Sequence, residues 1–264
     1  MKQLFISVII FGIRRGLIMK GYDHIKSKER VLEILNKPKE EIISQNVPSD
    51  RYFKFGETYN CQITCIFVNI QNSEELYENK ISSVTKIMRS YSSEVIDILR
   101  QSGNARDIGI IGDSIYAVYA TPENRDVRES VLTAAYVNTF VKMLNVLSEE
   151  KGLGQIRIGI GVSTSSDITI KAVRDRSGMN EKLWIGEAFK GASALSLFGS
   201  KEEHTRNPIA ISDTAYEKMI ESYAEEKRED VKKSFTSQTF GGRNAYTANI
   251  TITKIDDWIK NGMK

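Results

Sequence analysis

The stretch CQITCIFVNI, residues 61–70, decides the fold of this chain. Its β-branched and apolar residues predict a central strand that is buried on both faces. The polar turn QNSEEL, residues 71–76, follows and leads into an amphipathic helix. Asn69 stands at the end of the strand, where a carboxylate would make an obvious metal site. The end of this strand is therefore an inactivated metal site, a metal site with altered ligands, or no metal site at all.

Length and composition describe an ordinary soluble globular protein. The chain has 264 residues, of which 41% are hydrophobic and 27% are charged. That length suits one large domain with extensions. The net charge is +3 with both signs interspersed, which argues against nucleic acid or a membrane as the main partner.

The two cysteines, Cys61 and Cys65, lie four residues apart on the predicted strand. Neighbours on one strand have poor geometry for a disulfide, so we expect small buried thiols. Buried free thiols indicate a reducing, cytoplasmic setting.

Residues 1–18 form an apolar leader that allows three interpretations. Its apolar run covers only about half of the roughly 20 residues that a spanning helix needs. Arg14 and Arg15 follow that run, where a signal peptide would have a cleavage site. We rank a translation start at Met19 first, a weak membrane anchor second and a signal peptide last.

Apolar spacing and turn residues predict the order of elements along the chain. We expect a charged helix from residue 24 that is broken or kinked at Pro38, and a polar connector over 45–60. The elements expected after the strand at 61–70 are a helix over 74–99, a hairpin over 105–120 that turns at Gly112–Asp113, a helix over 128–147, a strand over 155–165, a further strand over 168–173, a loop over 174–182, a helix over 187–198, a strand over 208–212 with a helix after it, and a closing strand over 244–255.

This order is β-α-β-β-α-β with additions towards the C-terminus. It predicts an α+β, ferredoxin-like domain in which helices cover one face of an antiparallel sheet. We place that domain at residues 58–255. Residues 19–57 form an N-terminal helix and connector, and residues 256–264 form a tail.

In this fold the end of the first strand and the tip of the hairpin lie side by side. Carboxylates there can share two divalent cations, which in turn grip a nucleoside triphosphate. Asp113, in GDSI, fits the hairpin half of such a pair, and Asn69 occupies the other half. Gly-Asp also favours turns for conformational reasons alone.

Taken together, several segments resemble the class III nucleotidyl cyclase domain over most of residues 60–255. The matching segments are IFVNIQNSEEL (66–76), IIGDSIYAVYA (110–120), IRIGIGVSTS (156–165) and WIGEAFKGASAL (184–195). Three others are similar to the bacterial pyrimidine cyclases of the Pycsar anti-phage systems: YDHIKSKERVLEIL (22–35), KAVRDRSGMNEKLWIG (171–186) and IDDWI (255–259).

The resemblance implies a homodimer in which each active site is built from both subunits. Two cations, Mn²⁺ or Mg²⁺, would help the ribose 3′-hydroxyl to attack the α-phosphorus, which yields a 3′,5′-cyclic nucleotide and pyrophosphate. The implied metal positions are Asn69, Ile70 and Asp113. In the pyrimidine branch the product activates a separate effector gated by the cyclic nucleotide.

The same resemblance bears on which base is bound. The positions where adenine-selective relatives carry Lys and Asp are Gly109 and Leu183 here, and neither side chain forms hydrogen bonds. A purine edge would therefore stay unsatisfied, which favours UTP or CTP, with UTP preferred. Tyr59 and Arg106 are candidates for base or phosphate contacts, although each could instead be a surface residue that supports the sheet.

Three positions depart from the family pattern. Asn69 replaces the first metal aspartate, which removes a full charge from the cation pair. Lys190 replaces the transition-state asparagine, and Ala194 replaces an arginine. One hypothesis is that the catalytic Lys190 supplies a positive charge near the triphosphate. The alternative is a catalytically impaired pseudocyclase that binds nucleotide or partners an intact cyclase.

Overall fold

Strand β2 (Thr58–Ile70) lies at the centre of the sheet, as its apolar run predicts. It pairs along its whole length with one neighbouring strand and along residues 63–68 with another. Because both edges are occupied, the backbone donors and acceptors of β2 are satisfied within the sheet, and its side chains enter the core on both faces.

This computed structural model describes residues 22–37, 42–44, 47–49, 51–172, 182–198 and 207–264. The first element within them is helix α1 (His24–Leu35). The elements that follow are, in order, β1 (Ile42–Ile43), β2, α2 (Ser73–Tyr77), α3 (Ile81–Gln101), β3 (Ala105–Ile111), β4 (Ser114–Ala120), α4 (Asn124–Glu150), β5 (Ile158–Lys171), β6 (Lys182–Ile185), α5 (Glu187–Phe198), β7 (Ile209–Ser212), α6 (Asp213–Glu221), α7 (Glu225–Lys232), β8 (Thr236–Phe240), β9 (Arg243–Ala248) and α8 (Thr253–Lys260).

The described strands form one nine-stranded sheet in the order β3-β4-β2-β5-β7-β9-β8, with β1 paired to β2 and β6 paired to β5. All pairings are antiparallel except β1 with β2 and β5 with β7. The series β2-α3-β3-β4-α4-β5 confirms the predicted βαββαβ core and the α+β class.

One face of the sheet, here called the aliphatic face, packs against α3, α4 and α6. Ile66, Val68 and Ile70 of β2 point into it. Helix α3 buries Ile87, Tyr91, Val95 and Leu99 against them, at the spacing of one helix stripe. Helix α4 is long and apolar enough to cross a membrane by length and composition alone. Most of its apolar side chains are buried in this core instead.

The opposite face, here called the α5 face, is covered by the single helix α5, which the predicted one-sided helix layer did not include. Cys65 and Phe67 of β2 point towards it, together with Ala188 and Ala192 of the helix. A Cβ atom at Gly161 of β5 would lie 1.9 Å from the carbonyl oxygen of Ala192. The helix therefore rests directly on the backbone of the sheet, and glycine is required there because any side chain would collide.

Two of the predicted divisions into helices and strands were wrong. The helix expected over 74–99 is two helices, because the side-chain amide of Asn79 donates to the carbonyls of Glu75 and Leu76 and α2 ends there. The strands expected over 155–165 and 168–173 are one strand, β5, which pairs continuously with β2 from Ile158 to Ile170.

The C-terminal part also differs from the expectation. Strands β6 and β8 were not predicted, and the closing strand ends at Ala248 instead of residue 255. The side chain of Asn138 in α4 donates to the carbonyl of Ile250, and Thr139 accepts from the backbone N–H of Ile252. These side chains replace the hydrogen bonds of a strand partner, so the chain leaves the sheet before α8 begins.

Residues Glu41–Lys264 form one compact unit, and α1 belongs to a separate unit at residues 1–40. By itself, α1 is capped by Asp23, whose carboxylate accepts from the backbone N–H groups of Ile25 and Lys26. The expected kink at Pro38 and the apolar leader lie outside the described residues. Cys61 and Cys65 are free and buried, as predicted.

Candidate active site

The end of β2 and the turn between β3 and β4 lie side by side, as the sequence predicts. Val68 pairs with Ile115, which places Asn69 opposite Ser114. The Ser114 hydroxyl donates to Oδ1 of Asn69 at 2.6 Å. Gly112 adopts a φ of 63°, which suits the tight turn that carries Asp113. We call Asn69, Ile70 and Asp113 the metal corner.

The side chain of Tyr91 lies near both the end of β2 and Asp113. Its hydroxyl donates to the carbonyl of Val68 at 3.3 Å. Burial raises the pKa of Tyr91, and the negative charge of Asp113 raises that pKa further. Asp113 therefore lies near the Tyr91 hydroxyl, which contacts the end of β2.

The metal corner offers oxygen donors, which suit a hard divalent cation such as Mg²⁺ or Mn²⁺. The Ile70 side chain is buried in the aliphatic core, so only its carbonyl can contribute. Among the described residues no cluster of three or more His, Cys, Asp or Glu side chains is found. The donor set thus fits a cation, with the single charge of Asp113 where two carboxylates would bind it more strongly.

Lys190 lies in the first turns of α5, and its side chain is 77% exposed. Its Nζ is 3.6 Å from Oε1 of Glu187, and Arg243 donates to Oε2 of the same carboxylate at 2.6 Å. The hydrogen bond from Arg243 and the charge of Lys190 lower the pKa of Glu187. Two cationic side chains therefore share one carboxylate at the start of α5.

These three side chains line a cleft of about 750 Å³ between α5, β5, the start of α6 and the hairpin of β8 and β9. Ala194 lines it as well, whereas Asn69 and Asp113 do not. Lys190 and the metal corner therefore do not share this cleft.

Asp167 of β5 determines where α5 begins. Its carboxylate is 2% exposed and accepts from the backbone N–H groups of Glu187 and Ala188 at 3.2 and 3.0 Å. A Cβ atom at Gly186 would lie 2.2 Å from Cγ of Asp167. The glycine thus admits a buried carboxylate to the helix N-terminus, where the helix dipole favours negative charge.

Tyr59 lies away from the metal corner. Tyr59 is buried at the beginning of β2, and its hydroxyl donates to Glu57. Burial, followed by that hydrogen bond, raises the pKa of Tyr59 to about 12. Ten strand positions separate it from Asn69, roughly 33 Å at the rise of a β-strand.

Arg106 occupies the irregularity in β3 between Ala105 and Asp107. Its Nε atom is buried and has no hydrogen-bond partner among the described residues. Its backbone carbonyl accepts from Nζ of Lys182 in β6. A buried guanidinium nitrogen without a partner is costly unless a further group satisfies it.

Sequence reasoning missed the side chains that join β3 to β6. The indole N–H of Trp184 donates to Oδ2 of Asp107 at 2.8 Å. This bond and the Lys182 contact bring Arg106 close to the strand of Leu183, which is 47% exposed. We call Tyr59, Arg106, Gly109 and Leu183 the base side. Lys182 and Trp184 are remote in sequence from Arg106 and Asp107, so no local pattern predicts these contacts. The only feature in the sequence that could have pointed to them is that Asp107 directly follows Arg106.

No family model matches the chain. A protein named uridylate cyclase from Treponema porcinum is 36% identical over 252 residues, which cover 94% of this chain and 84% of that protein. A second uridylate cyclase, from Gulbenkiania mobilis, is 26% identical over 253 residues, covering 90% of this chain and 96% of that protein.

Among solved structures, the adenylyl cyclase CyaB from P. aeruginosa superposes with a TM-score of 0.57. Its sequence is 18% identical, and the match covers 73% of this chain and 95% of that one. At this identity the likeness concerns the fold alone.

Proposed function

The chain belongs to the uridylate cyclase family of nucleotidyl cyclases, and we propose that it converts UTP into 3′,5′-cyclic UMP and pyrophosphate. The metal corner and the base side support this reaction as two halves of one site. CTP is the second pyrimidine substrate to be compared with UTP, because the residues at positions 109 and 183 do not distinguish uracil from cytosine.

The observation that carries the proposal is the unpartnered Nε of Arg106 on the base side. Gly109 and Leu183, the two positions implied in purine readout, offer no hydrogen-bonding side chain. A guanidinium N–H donates and does not accept, and uracil presents two carbonyl oxygens as acceptors. Arg106 can therefore satisfy its own buried donor by binding the base.

The two half sites favour a head-to-tail homodimer with shared active sites. Tyr59 and Asn69 are roughly 33 Å apart along β2, which is too far for one nucleotide to contact both ends. A two-fold pairing brings the metal corner of one subunit to the base side of its partner. Each dimer then carries two equivalent sites.

In the reaction, the 3′-hydroxyl oxygen forms a bond to the α-phosphorus while the bond to the pyrophosphate oxygen breaks, and the hydroxyl proton passes to solvent. Asn69, Ile70 and Asp113 would hold the divalent cations, which when bound activate the hydroxyl and neutralise the triphosphate. Lys190, on the exposed start of α5, donates to the triphosphate and supplies positive charge there, which partly replaces the charge neutralisation that the metal site weakened by Asn69 no longer provides. Tyr59 and Arg106 position the base and ribose for in-line attack.

We further propose that the cyclic nucleotide acts as a second messenger. Cyclic UMP would be an infection signal in anti-phage defence, read by a separate effector gated by the cyclic nucleotide, in the cytoplasm and without nucleic acid as a partner. This part rests on the likeness of the segments at 22–35, 171–186 and 255–259 to the Pycsar branch.

The test incubates the purified protein with Mn²⁺ and each of UTP, CTP, ATP and GTP, and analyses the products by mass spectrometry. We expect cyclic UMP as the main product and its loss in Asp113→Ala. Leu183→Ala is the matched control on the apolar base side, and it should remain a pyrimidine cyclase. A product from ATP or GTP only would contradict the proposal.

The amide at Asn69 favours a second candidate, an impaired subunit that pairs with an intact cyclase. The metal corner has one charged donor, and Oδ1 of Asn69 is already engaged by Ser114. Under this candidate the wild-type protein is inactive with all four triphosphates and Asn69→Asp gains activity at least about tenfold. Wild-type activity that equals or exceeds that of Asn69→Asp would remove the candidate.

A further inference from the structure

The phenol ring of Tyr116 in β4 is held on three sides. It stacks on Phe67 with ring centroids 5.5 Å apart and meets the edge of Phe189 at 5.0 Å. Its hydroxyl lies 3.4 Å from Oδ2 of Asp107 and donates to it. Only 8% of the residue is exposed. The ring therefore has no alternative position without moving the cluster around it.

Gly109 of β3 pairs directly with Tyr116. A Cβ atom at Gly109 would lie 2.6 Å from Cε1, Cζ and the hydroxyl oxygen of the tyrosine. That distance is well inside van der Waals contact, and the ring cannot move aside because Phe67, Phe189 and Asp107 hold it. While Tyr116 is present, the position therefore accepts no side chain at all.

The carboxylate of Asp107 connects the three strands around the Tyr116 ring. Oδ2 of Asp107 accepts from both the Tyr116 hydroxyl and the Trp184 indole. Strands β3, β4 and β6 are thereby fixed to one another at the base side. The position of the Tyr116 ring over Gly109 is therefore set by side-chain contacts among these strands.

The geometry points to Tyr116 as a specificity-determining residue: its clamped ring fills the space above Gly109 and limits the base side to a single-ring base. This inference rests on the proposed function for the location of the base. A purine needs room for a second fused ring and for a polar partner at its far edge. Tyr116 removes the room, and it also excludes the side chain at Gly109 that would supply the partner.

The experiment measures kcat/KM for ATP and for UTP in the wild-type protein and in variants at the two positions. In Tyr116→Ala the ATP-to-UTP ratio should rise by at least about tenfold, and in Gly109→Lys/Tyr116→Ala it should rise further. Tyr116→Phe keeps the ring and should keep a wild-type ratio. Tyr216→Ala removes a stacked ring elsewhere and should also leave the ratio unchanged.

Calorimetric binding of UTP and ATP with Ca²⁺ in place of Mn²⁺ separates specificity from turnover. A wild-type protein that binds UTP over ATP but makes no product would remove the proposed activity, and loss of that binding preference in Tyr116→Ala would keep the role of Tyr116. Cyclic UMP production with an unchanged ratio in Tyr116→Ala would remove the role of Tyr116 and keep the activity. Binding of neither nucleotide would overturn both.

A stability cycle tests the steric step independently of any nucleotide. Gly109→Ala should destabilise the wild-type fold, because its methyl group meets the Tyr116 ring, and it should cost much less in a Tyr116→Ala background. Equal destabilisation in the two backgrounds would overturn the steric argument.

Discussion

The two faces of the sheet are built in different ways from alternate residues of the same strand. On the aliphatic face, Ile66, Val68 and Ile70 meet three helices through branched side chains. On the α5 face, Cys65 and Phe67 meet one helix that approaches the sheet so closely that Gly159 and Gly161 cannot carry a side chain. The aliphatic face is held together by side-chain packing, whereas the α5 face is determined by backbone contacts and buried carboxylates.

The candidate functional side chains follow this division. Of the predicted site residues, only Ile70 points into the aliphatic core, and its carbonyl alone can act as a ligand. Tyr59, Tyr116 and Trp184 belong to the cluster of the α5 face, and Lys190 is carried by its helix. Changes on the aliphatic face should therefore affect stability alone, and changes on the α5 face should affect stability and selectivity together.

The largest effect is expected for Gly161→Ala. Its methyl group would lie 1.9 Å from the Ala192 carbonyl oxygen, so α5 must move away from the sheet. We expect a loss of about 4 kcal/mol in the free energy of unfolding, measured in urea, and loss of cyclase activity. Gly154→Ala is the matched control: its methyl group meets nothing closer than 3.4 Å, and both quantities should stay near wild type. A stable Gly161→Ala variant would contradict the close approach of α5.

The corresponding change on the aliphatic face is Leu99→Ala. Leu99 is fully buried in α3, and its truncation should cost about 3 kcal/mol in the free energy of unfolding. Below the unfolding temperature of the variant, the ATP-to-UTP ratio of kcat/KM should remain that of wild type. A shift in that ratio would show that the two faces are not functionally separate.

A smaller effect is expected at Asp167, on the α5 face. Asp167→Ala leaves the buried N–H groups of Glu187 and Ala188 without an acceptor, which should cost about 2 kcal/mol in urea unfolding. Asp167→Asn keeps an acceptor oxygen and should lose less. If the asparagine variant is as unstable as the alanine variant, the carboxylate does not act as the cap of α5.

The smallest effect concerns Asp256 of α8, which pairs with Lys260 and with Lys142 of α4. The hydrogen bond from Lys260 is the main cause that lowers the pKa of Asp256. A lowered carboxyl pKa stabilises the fold above the unfolded pKa of about 3.9, and this contribution is lost as the pH falls through the folded pKa. Asp256→Asn should cost less than about 1 kcal/mol at pH 7, and a smaller amount at pH 3. An equal difference at both pH values would contradict the ion pairs.

The fold could be predicted because its signals are local. The apolar run of β2, the helical stripe of α3 and the Gly112–Asp113 turn each depend on neighbouring residues, and the structure confirms all three. Strand β6 was missed because KLWI is short and lies within a polar stretch. Its position is set by pairing with β5, a contact that periodicity does not contain.

The candidate site was only partly accessible from sequence. The juxtaposition of Asn69 and Asp113 follows from the hairpin topology and is confirmed by the bond between Asn69 and Ser114. The roles of Tyr116 and Asp107 depend on which rings touch across β3, β4 and β6, and no spacing rule encodes that contact. The roles of Lys190 and Arg106 in catalysis and binding stay predictions.

The division of each site between two subunits can be tested most directly by mixing two inactive variants. Asp113→Ala removes the metal corner, and Arg106→Ala removes the base side. If the halves meet across the dimer, the two proteins, mixed at equal amounts and allowed to exchange subunits, should regain about a quarter of the wild-type rate of cyclic UMP formation, because half the dimers carry one intact site. A mixture no more active than either variant alone, although subunit exchange is shown to occur, would contradict the shared site.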